Sequence, residues 1–327
     1  MRAQQITELS GPATALRAAH LPEPEADHLL TPGAGVVIDV RAAGVAFPEV
    51  LQTRGEYQMS LPLPYVPGGE VAGVVRSVNG PASVAPGDRV AAYCGFGGFA
   101  EVAVAPAYLT FPLPDVLDDA QGAALILNYH TAWFALAQRG RLVAGETVLV
   151  HGAAGGVGTA ALQVAKGLGA RTIAVVSTDE KARVAHQAGA DEVLRTGGPW
   201  KDDARAWSGG GVDLVLDPVG GDRFTDSLRS LREGGRVVVV GFTGGSIPEV
   251  RVNRLLLNNV EVIGAGWGAW ILGKPEVNAK IGAAVDALIA SGDVRPIIGA
   301  RFALEQAADA LQLLDGRGAV GKVVLDL

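Results

Sequence analysis

Residues 146–176 constrain the fold of this chain more than any other stretch. Thr147 to Val150 is an apolar, β-branched run, short enough for a strand buried on both faces. His-Gly-Ala-Ala-Gly-Gly-Val-Gly (151–158) follows, almost free of bulky side chains. Val157, Ala161, Leu162, Ala165 and Leu168 then fall on one helical face, and Thr172 to Val176 is a second β-rich run. Strand, glycine loop, helix and strand within about 30 residues make a dinucleotide-binding βαβ unit. A pyrophosphate sits at such a helix start because unpaired N–H groups and the helix dipole both favour an anion there. Side chains must stay clear, which makes Gly155, Gly156 and Val157 candidate cofactor contacts. Ala153 stands at the first glycine position of the G-x-G-x-x-G pattern, so the turn needs no positive φ at that residue.

The end of the second strand bears on the kind of dinucleotide. NAD binders place an Asp or Glu there for the ribose 2′-hydroxyl. Here the strand ends Ala174-Val175-Val176-Ser177-Thr178, without a carboxylate. Asp179 and Glu180 read as the first turn of the next helix, with Thr178 as its N-cap. Ser177, Thr178 and Lys181 are a candidate seat for a 2′-phosphate, so NADPH is expected over NADH; the alternative is a solvated helix lysine at Lys181.

Residues 1 to about 115 carry short strands and frequent Gly/Pro punctuation. Val36–Arg41, Glu70–Val78, Arg89–Tyr93 and Phe99–Val104 are the clearest strands, and Pro62, Pro64 and Pro67 mark a loop. From Asp118 the period becomes helical, with Asn128 and Thr131 as candidate caps. After Val176, strands and helices alternate, which implies a parallel sheet with ligand at the strand C-termini. The tips Pro218-Val219 and Gly241-Phe242-Thr243 are therefore of interest. Gly321–Leu327 reads as a final strand returning to the N-terminal half. The expected division is a β-rich catalytic domain of residues 1–123 and 267–327 around a cofactor domain of residues 124–266.

The 327 residues carry a net charge of −7, which argues against nucleic acid or an anionic membrane as partner. No apolar run reaches the roughly 18 residues of a membrane span, and the N-terminus has no signal-peptide core. Cys94 is the only cysteine, so neither a disulfide framework nor a cysteine-rich zinc site is available. A cytoplasmic enzyme is expected.

Seven phrases in collinear order now carry a resemblance: GVAFPEVLQTRGEY (44–57), LPLPYVPGGEVAGVV (61–75), GDRVAA (87–92), HGAAGGVG (151–158), DPVGGD (217–222), GRVVVVGF (235–242) and GKVV (321–324). The chain resembles the medium-chain dehydrogenase/reductases, and among them the zinc-independent, ζ-crystallin-like quinone oxidoreductases. The resemblance implies an α/β fold, with a partly closed, GroES-like β-barrel beside a Rossmann domain with a parallel sheet. It adds Phe47, Pro48, Phe134 and Arg317 to the cofactor contacts, and it implies a homodimer, for which the apolar Val260–Ala265 is the candidate edge. Where zinc-dependent relatives place Cys and His ligands, this chain has Ala46 and Gly69, and zinc needs three or four such ligands. No metal is expected. Where relatives usually have Asn and often Tyr, it has Ala46 and Thr196.

Without a metal, hydride transfer to a quinone or conjugated carbonyl needs a donor at the acceptor oxygen. Tyr57 is the candidate donor, and Tyr57, Tyr129, Trp267 and Trp270 are candidate pocket walls; a packed tyrosine with a satisfied hydroxyl is the alternative for Tyr57. The expected activity is NADPH-dependent quinone reduction. The alternatives are an NADPH-dependent enone or enoyl-thioester reductase and a non-catalytic NADPH-binding protein.

Overall fold

A computed structural model of the chain describes residues 1–59 and 61–327. They form two compact units: Met1–Leu127, Leu272–Gly282 and Pro296–Leu327 in one, Asn128–Ile271 and Ala283–Arg295 in the other. The chain enters the first unit through β1 (Arg2–Ile6), β2 (Leu16–His20), β3 (Gly35–Val45), α1 (Phe47–Gln52), β4 (Glu70–Asn79), β5 (Arg89–Tyr93), β6 (Val102–Ala105), β7 (Thr110–Pro112) and α2 (Asp119–Gly122). The second unit holds α3 (Thr131–Trp133), β8 (Thr147–His151), α4 (Gly156–Gly167), β9 (Arg171–Val176), α5 (Asp179–Gln187), β10 (Glu192–Arg195), α6 (Trp200–Ser208) and β11 (Val212–Asp217). It continues with α7 (Phe224–Ser230), β12 (Leu231–Val239), α8 (Asn253–Asn258), β13 (Glu261–Gly264) and α9 (Trp267–Ile271). After α10 (Pro275–Ser291), β14 (Ile298–Ala303), α11 (Ala307–Asp315) and β15 (Lys322–Asp326) belong again to the first unit.

In the first unit, β1 and β2 pair antiparallel, and a larger sheet runs β14-β15-β3-β4-β5-β7, with β6 also on β3. The eleven residues of β3 make this possible: Val36–Asp39 take β6 and Ala42–Val45 take β15, while β4 runs along the opposite edge. The tail does return to the N-terminal sheet, as the sequence predicts. The expected strand 99–104 is shorter, because Phe99 is a buried loop residue whose N–H donates to Pro67. Ile38, Val71, Val90, Phe99 and Val323 share one apolar core. Two charges lie beside it: the Lys322 ammonium of β15 donates to Glu70 of β4, and both side chains are buried. The other Glu70 oxygen accepts the Leu127 N–H at 2.9 Å.

The second unit is a six-stranded parallel sheet in the order β10-β9-β8-β11-β12-β13. Chain order reverses direction between β8 and β11, so a crevice for ligand opens beyond their C-terminal ends. Every residue of β8 is buried, as is β9 after Arg171, which is why these strands read as unbroken apolar runs. Leu149, Ile173, Val215 and Val237 belong to this unit's core. One expectation fails here. Residues 126–139 are not a plain helix with caps at Asn128 and Thr131; π-helical turns at Ile126–His130 and Phe134–Arg139 flank α3, and Asn128 is buried inside the first.

Removing one partner of a buried ion pair leaves an uncompensated charge, at a cost of about 3–5 kcal/mol. Lys322→Met is therefore expected to lower unfolding stability by about that amount in denaturant titrations. The double variant Glu70→Gln/Lys322→Met is expected to recover much of it; a double variant as unstable as the single one would contradict this account.

Candidate cofactor site and acceptor pocket

The cofactor loop begins where β8 ends. Gly152 takes a left-handed φ of +57°, so the positive φ lies one residue before Ala153, which itself has none. Gly155 is the N-cap of α4 in extended conformation and offers no capping side chain. The first N–H groups of a helix have no partner within it, and here no side chain covers them, so the glycine start fits a diphosphate. Close packing explains Gly158: a Cβ there would stand 2.2 Å from the Gly152 carbonyl oxygen. At Gly156 it would stand 2.7 Å from the Asn128 amide nitrogen.

The predicted tips of this sheet fall into two groups. Ser177 and Thr178 link β9 to α5, and the Thr178 hydroxyl caps that helix by accepting the Lys181 N–H at 3.2 Å. Beyond β11, Asp217 accepts the N–H groups of Val219 and Gly220 at 2.8 and 2.9 Å, which fixes the Pro218-Val219 turn. That turn is joined to the one after β12: Thr243 donates to the Pro218 carbonyl from its N–H and its hydroxyl, each at 3.1 Å, and Gly244 N–H donates to Val219 at 2.8 Å. Pro218, Val219, Gly241, Phe242 and Thr243 are thus one assembly, with Phe242 partly exposed.

The aromatic residues of this unit divide. Phe134 is buried with its ring 5.8 Å from that of Trp270, which is 37% exposed and also lies under the Arg139 guanidinium. Trp267 is buried edge-on to His130. Tyr129 is 2% exposed and its hydroxyl donates to Gln163 at 2.9 Å, which engages it in a structural bond. Arg317 belongs to the first unit, in the turn after α11, with a φ of +57°.

The first unit has its own pocket. Glu49, Gln52, Tyr57, Tyr93, Phe96 and Leu127 are among the residues lining a narrow crevice, partly open to solvent, whose cavity volume of about 20 Å³ holds about one water. Phe47 and Pro48 are the first two residues of α1, and Ala46 before them has no side chain able to cap the helix. Glu49 supplies only the returning half of a capping box: its carboxylate accepts the Ala46 N–H and, beyond the helix, the Gly69 N–H, both at 2.9 Å. At 1% exposure, burial raises its pKa to about 7, against the pull of Lys322 and the two N–H groups. Burial, and then the Glu49 charge, also raise the Tyr57 pKa, so its phenol stays protonated at neutral pH. The oxygen of the buried Gln52 amide has no hydrogen-bond partner among the described residues.

Ala46 and Gly69, the positions that the resemblance matches to zinc ligands of metal-dependent relatives, are joined here through one carboxylate. A Cβ at Gly69 would lie 3.3 Å from a Glu49 oxygen and 3.3 Å from the Tyr93 ring. Among the described residues no three His, Cys, Asp or Glu side chains cluster as a metal site. Cys94 is buried, its thiol donates to Gly68 at 3.4 Å, and burial raises its pKa, all of which suit a packed residue rather than a nucleophile. Sequence reasoning overlooked Glu49. The signal was available: a Glu at the third position of a Pro-started helix whose own cap is an alanine.

A carboxyl whose pKa rises on folding stabilises the fold below its ordinary range, and that contribution is lost as pH rises through about 7. Unfolding stability of the wild type is expected to fall across that window, and Glu49→Gln, which cannot titrate, is expected to flatten the slope. An unchanged slope in the variant would contradict the assignment.

Two family descriptions match the chain: "Alcohol dehydrogenase GroES-like domain" over residues 32–115 and "Zinc-binding dehydrogenase" over residues 156–282. The quinone oxidoreductase-like protein 2 of Mus musculus is 37% identical, the match covering all of this chain and 92% of that protein. The crystal structure of a probable oxidoreductase from Mycobacterium abscessus superimposes with a TM-score of 0.90 at 44% identity, covering 100% of this chain and 99% of that one. The quinone oxidoreductase of Thermus thermophilus, whose complex with NADPH has been solved, superimposes with a TM-score of 0.84 at 35% identity over the whole of both chains. Two domains of these kinds, the strand order of the parallel sheet and relatives matched over the full length lead to one conclusion: the chain belongs to the medium-chain dehydrogenase/reductase superfamily, among its quinone oxidoreductases.

Proposed function

We propose that this protein is an NADPH-dependent quinone oxidoreductase that works without zinc. The observation that carries this reading is the first unit's pocket: where metal-dependent relatives hold zinc, two backbone N–H groups meet a buried carboxylate, and tyrosines supply the donors. The NADPH complex of the Thermus thermophilus relative supports the cofactor, and the uncapped glycine start of α4 supports its diphosphate seat. When bound, NADPH supplies a hydride.

The protein's own residues do the rest. Gly156 and Val157 would give N–H groups to the diphosphate, beside Gly155, whose own N–H is held by the Gly152 carbonyl; Ser177, Thr178 and Lys181 would hold the ribose phosphate; Pro218-Val219 and Gly241-Phe242-Thr243 would shape the crevice at the sheet's switch point. The family resemblance would add Phe47, Pro48, Phe134 and Arg317 as cofactor contacts. Tyr57 holds a proton at its phenol oxygen and delivers it to the acceptor oxygen as negative charge builds there. Tyr129 has no part in that transfer, since its hydroxyl is bonded to Gln163. No helix among the described residues is long and apolar enough to cross a membrane.

A homodimer goes with this reading. β13 is the edge of the parallel sheet, and beside it in sequence Val252, Leu256 and Leu257 of the α8 region are about three-quarters exposed. Exposed apolar groups next to an unpaired edge mark a surface for a second copy.

Loss of NADPH absorbance with 1,4-benzoquinone, 9,10-phenanthrenequinone, 2-cyclohexenone and crotonyl-CoA tests the activity, with NADH as control. Turnover of the quinones alone is expected, with Tyr57→Phe lowering kcat about a hundredfold. Turnover of the enone or thioester with idle quinones would make the protein an alkene reductase, and binding without turnover would remove the enzyme claim. Light scattering is expected to give a dimer for the wild type and a monomer for Leu256→Asp/Leu257→Asp; a monomeric wild type would contradict the dimer.

A further inference from the structure

The seat expected for the 2′-phosphate contains a charge that the sequence did not single out. β10 lies beside β9 in parallel register, with Arg195 opposite Val176, one residue before Ser177. From there the Arg195 guanidinium reaches over the tip of β9: one nitrogen donates to the Thr178 carbonyl, and the other donates to an Asp179 carboxylate oxygen at 2.5 Å. We propose that Arg195 is the residue by which this protein selects a 2′-phosphate over a 2′-hydroxyl, with Asp179 as the anion that occupies its guanidinium when no phosphate is there. The proposal rests on the reading of NADPH as cofactor.

Three observations carry it. First, the guanidinium is anchored at one end only. Its bond to Thr178 fixes its position over the loop, while its other partner is a side chain 98% exposed to solvent. An exposed ion pair is weak, so Asp179 can turn into water at little cost and leave the fork to a phosphate, whose oxygens match it two at a time. Second, the surroundings favour an anion. Thr178 caps α5, the helix N-terminus carries the positive end of the dipole, and Lys181 stands in the first turn. Third, an arginine near the end of the second strand is what accommodates a 2′-phosphate, and no carboxylate stands at the tip of β9 itself; Asp179 is the first residue of α5. Arg195 is in contact with that helix carboxylate, so the pair discriminates through competition: a phosphate displaces Asp179, whereas a hydroxyl cannot.

Isothermal titration with 2′,5′-ADP and 5′-AMP reads the site without any turnover. The wild type is expected to prefer 2′,5′-ADP. Arg195→Gln is expected to lose about tenfold in affinity for 2′,5′-ADP, with 5′-AMP unchanged, and Arg195→Lys to recover part of the loss. Asp179→Asn, which removes the competing anion, is expected to tighten 2′,5′-ADP roughly threefold. Arg195→Gln binding both probes as the wild type does, or weakening both alike, would overturn the proposal. A wild type with no preference between the probes would overturn the NADPH reading itself, and the proposal with it.

Discussion

The buried ion pair between Glu70 and Lys322 joins two strands whose partners lie 252 positions apart in the chain. The rest of the first unit depends on that closure. It fixes β15 against the second half of β3, after β6 has taken the first half, and so gives the tail a place in the sheet. The other Glu70 oxygen holds the Leu127 N–H, at the last residue before the chain passes into the second unit. Glu70 also follows Gly69 directly, and Gly69 is one of the two N–H groups gathered by Glu49. A single charged contact in the core therefore sets the backbone from which the pocket is built. Desolvating two charges is costly, and the return here is one defined arrangement of a loop-rich wall.

That wall has a chemical consequence. A metal site would need several strong ligands converging from Ala46, Gly69 and their neighbours; instead those positions present backbone amides to one carboxylate. The pocket is left with protonated tyrosines and a carboxyl that titrates near neutrality. Groups of that kind give protons and hydrogen bonds but do not act as strong Lewis acids, which suits a quinone, an acceptor already activated by its own conjugation. In the second unit the physical theme is the reverse: side chains are removed from the start of α4 so that backbone N–H groups are open to an anion.

Much of this was legible in the sequence, for identifiable reasons. Strands buried on both faces must be unbroken apolar runs, so β8 and β9 announced themselves, and the glycines between them had one common physical use. The cap at Thr178 was visible because capping is a local property of residue type and spacing. Other elements were hidden. β14 has the pattern of a half-exposed strand at the edge of a sheet, too weak a signal beside helical neighbours. The π-helical turns around α3 leave no mark on a period of 3.6 residues. Glu49 and Arg195 were overlooked because charged residues near element ends usually belong to solvent. Only the fold places one inside a wall and the other across a neighbouring strand's tip.

The central claim is hydride transfer to a quinone with no metal taking part. The most direct measurement is quinone-dependent NADPH oxidation by the same protein before and after exhaustive chelation, with its zinc content determined each time. This account predicts an unchanged rate and no stoichiometric zinc in either sample. Activity that disappears on chelation and returns with added zinc would contradict it.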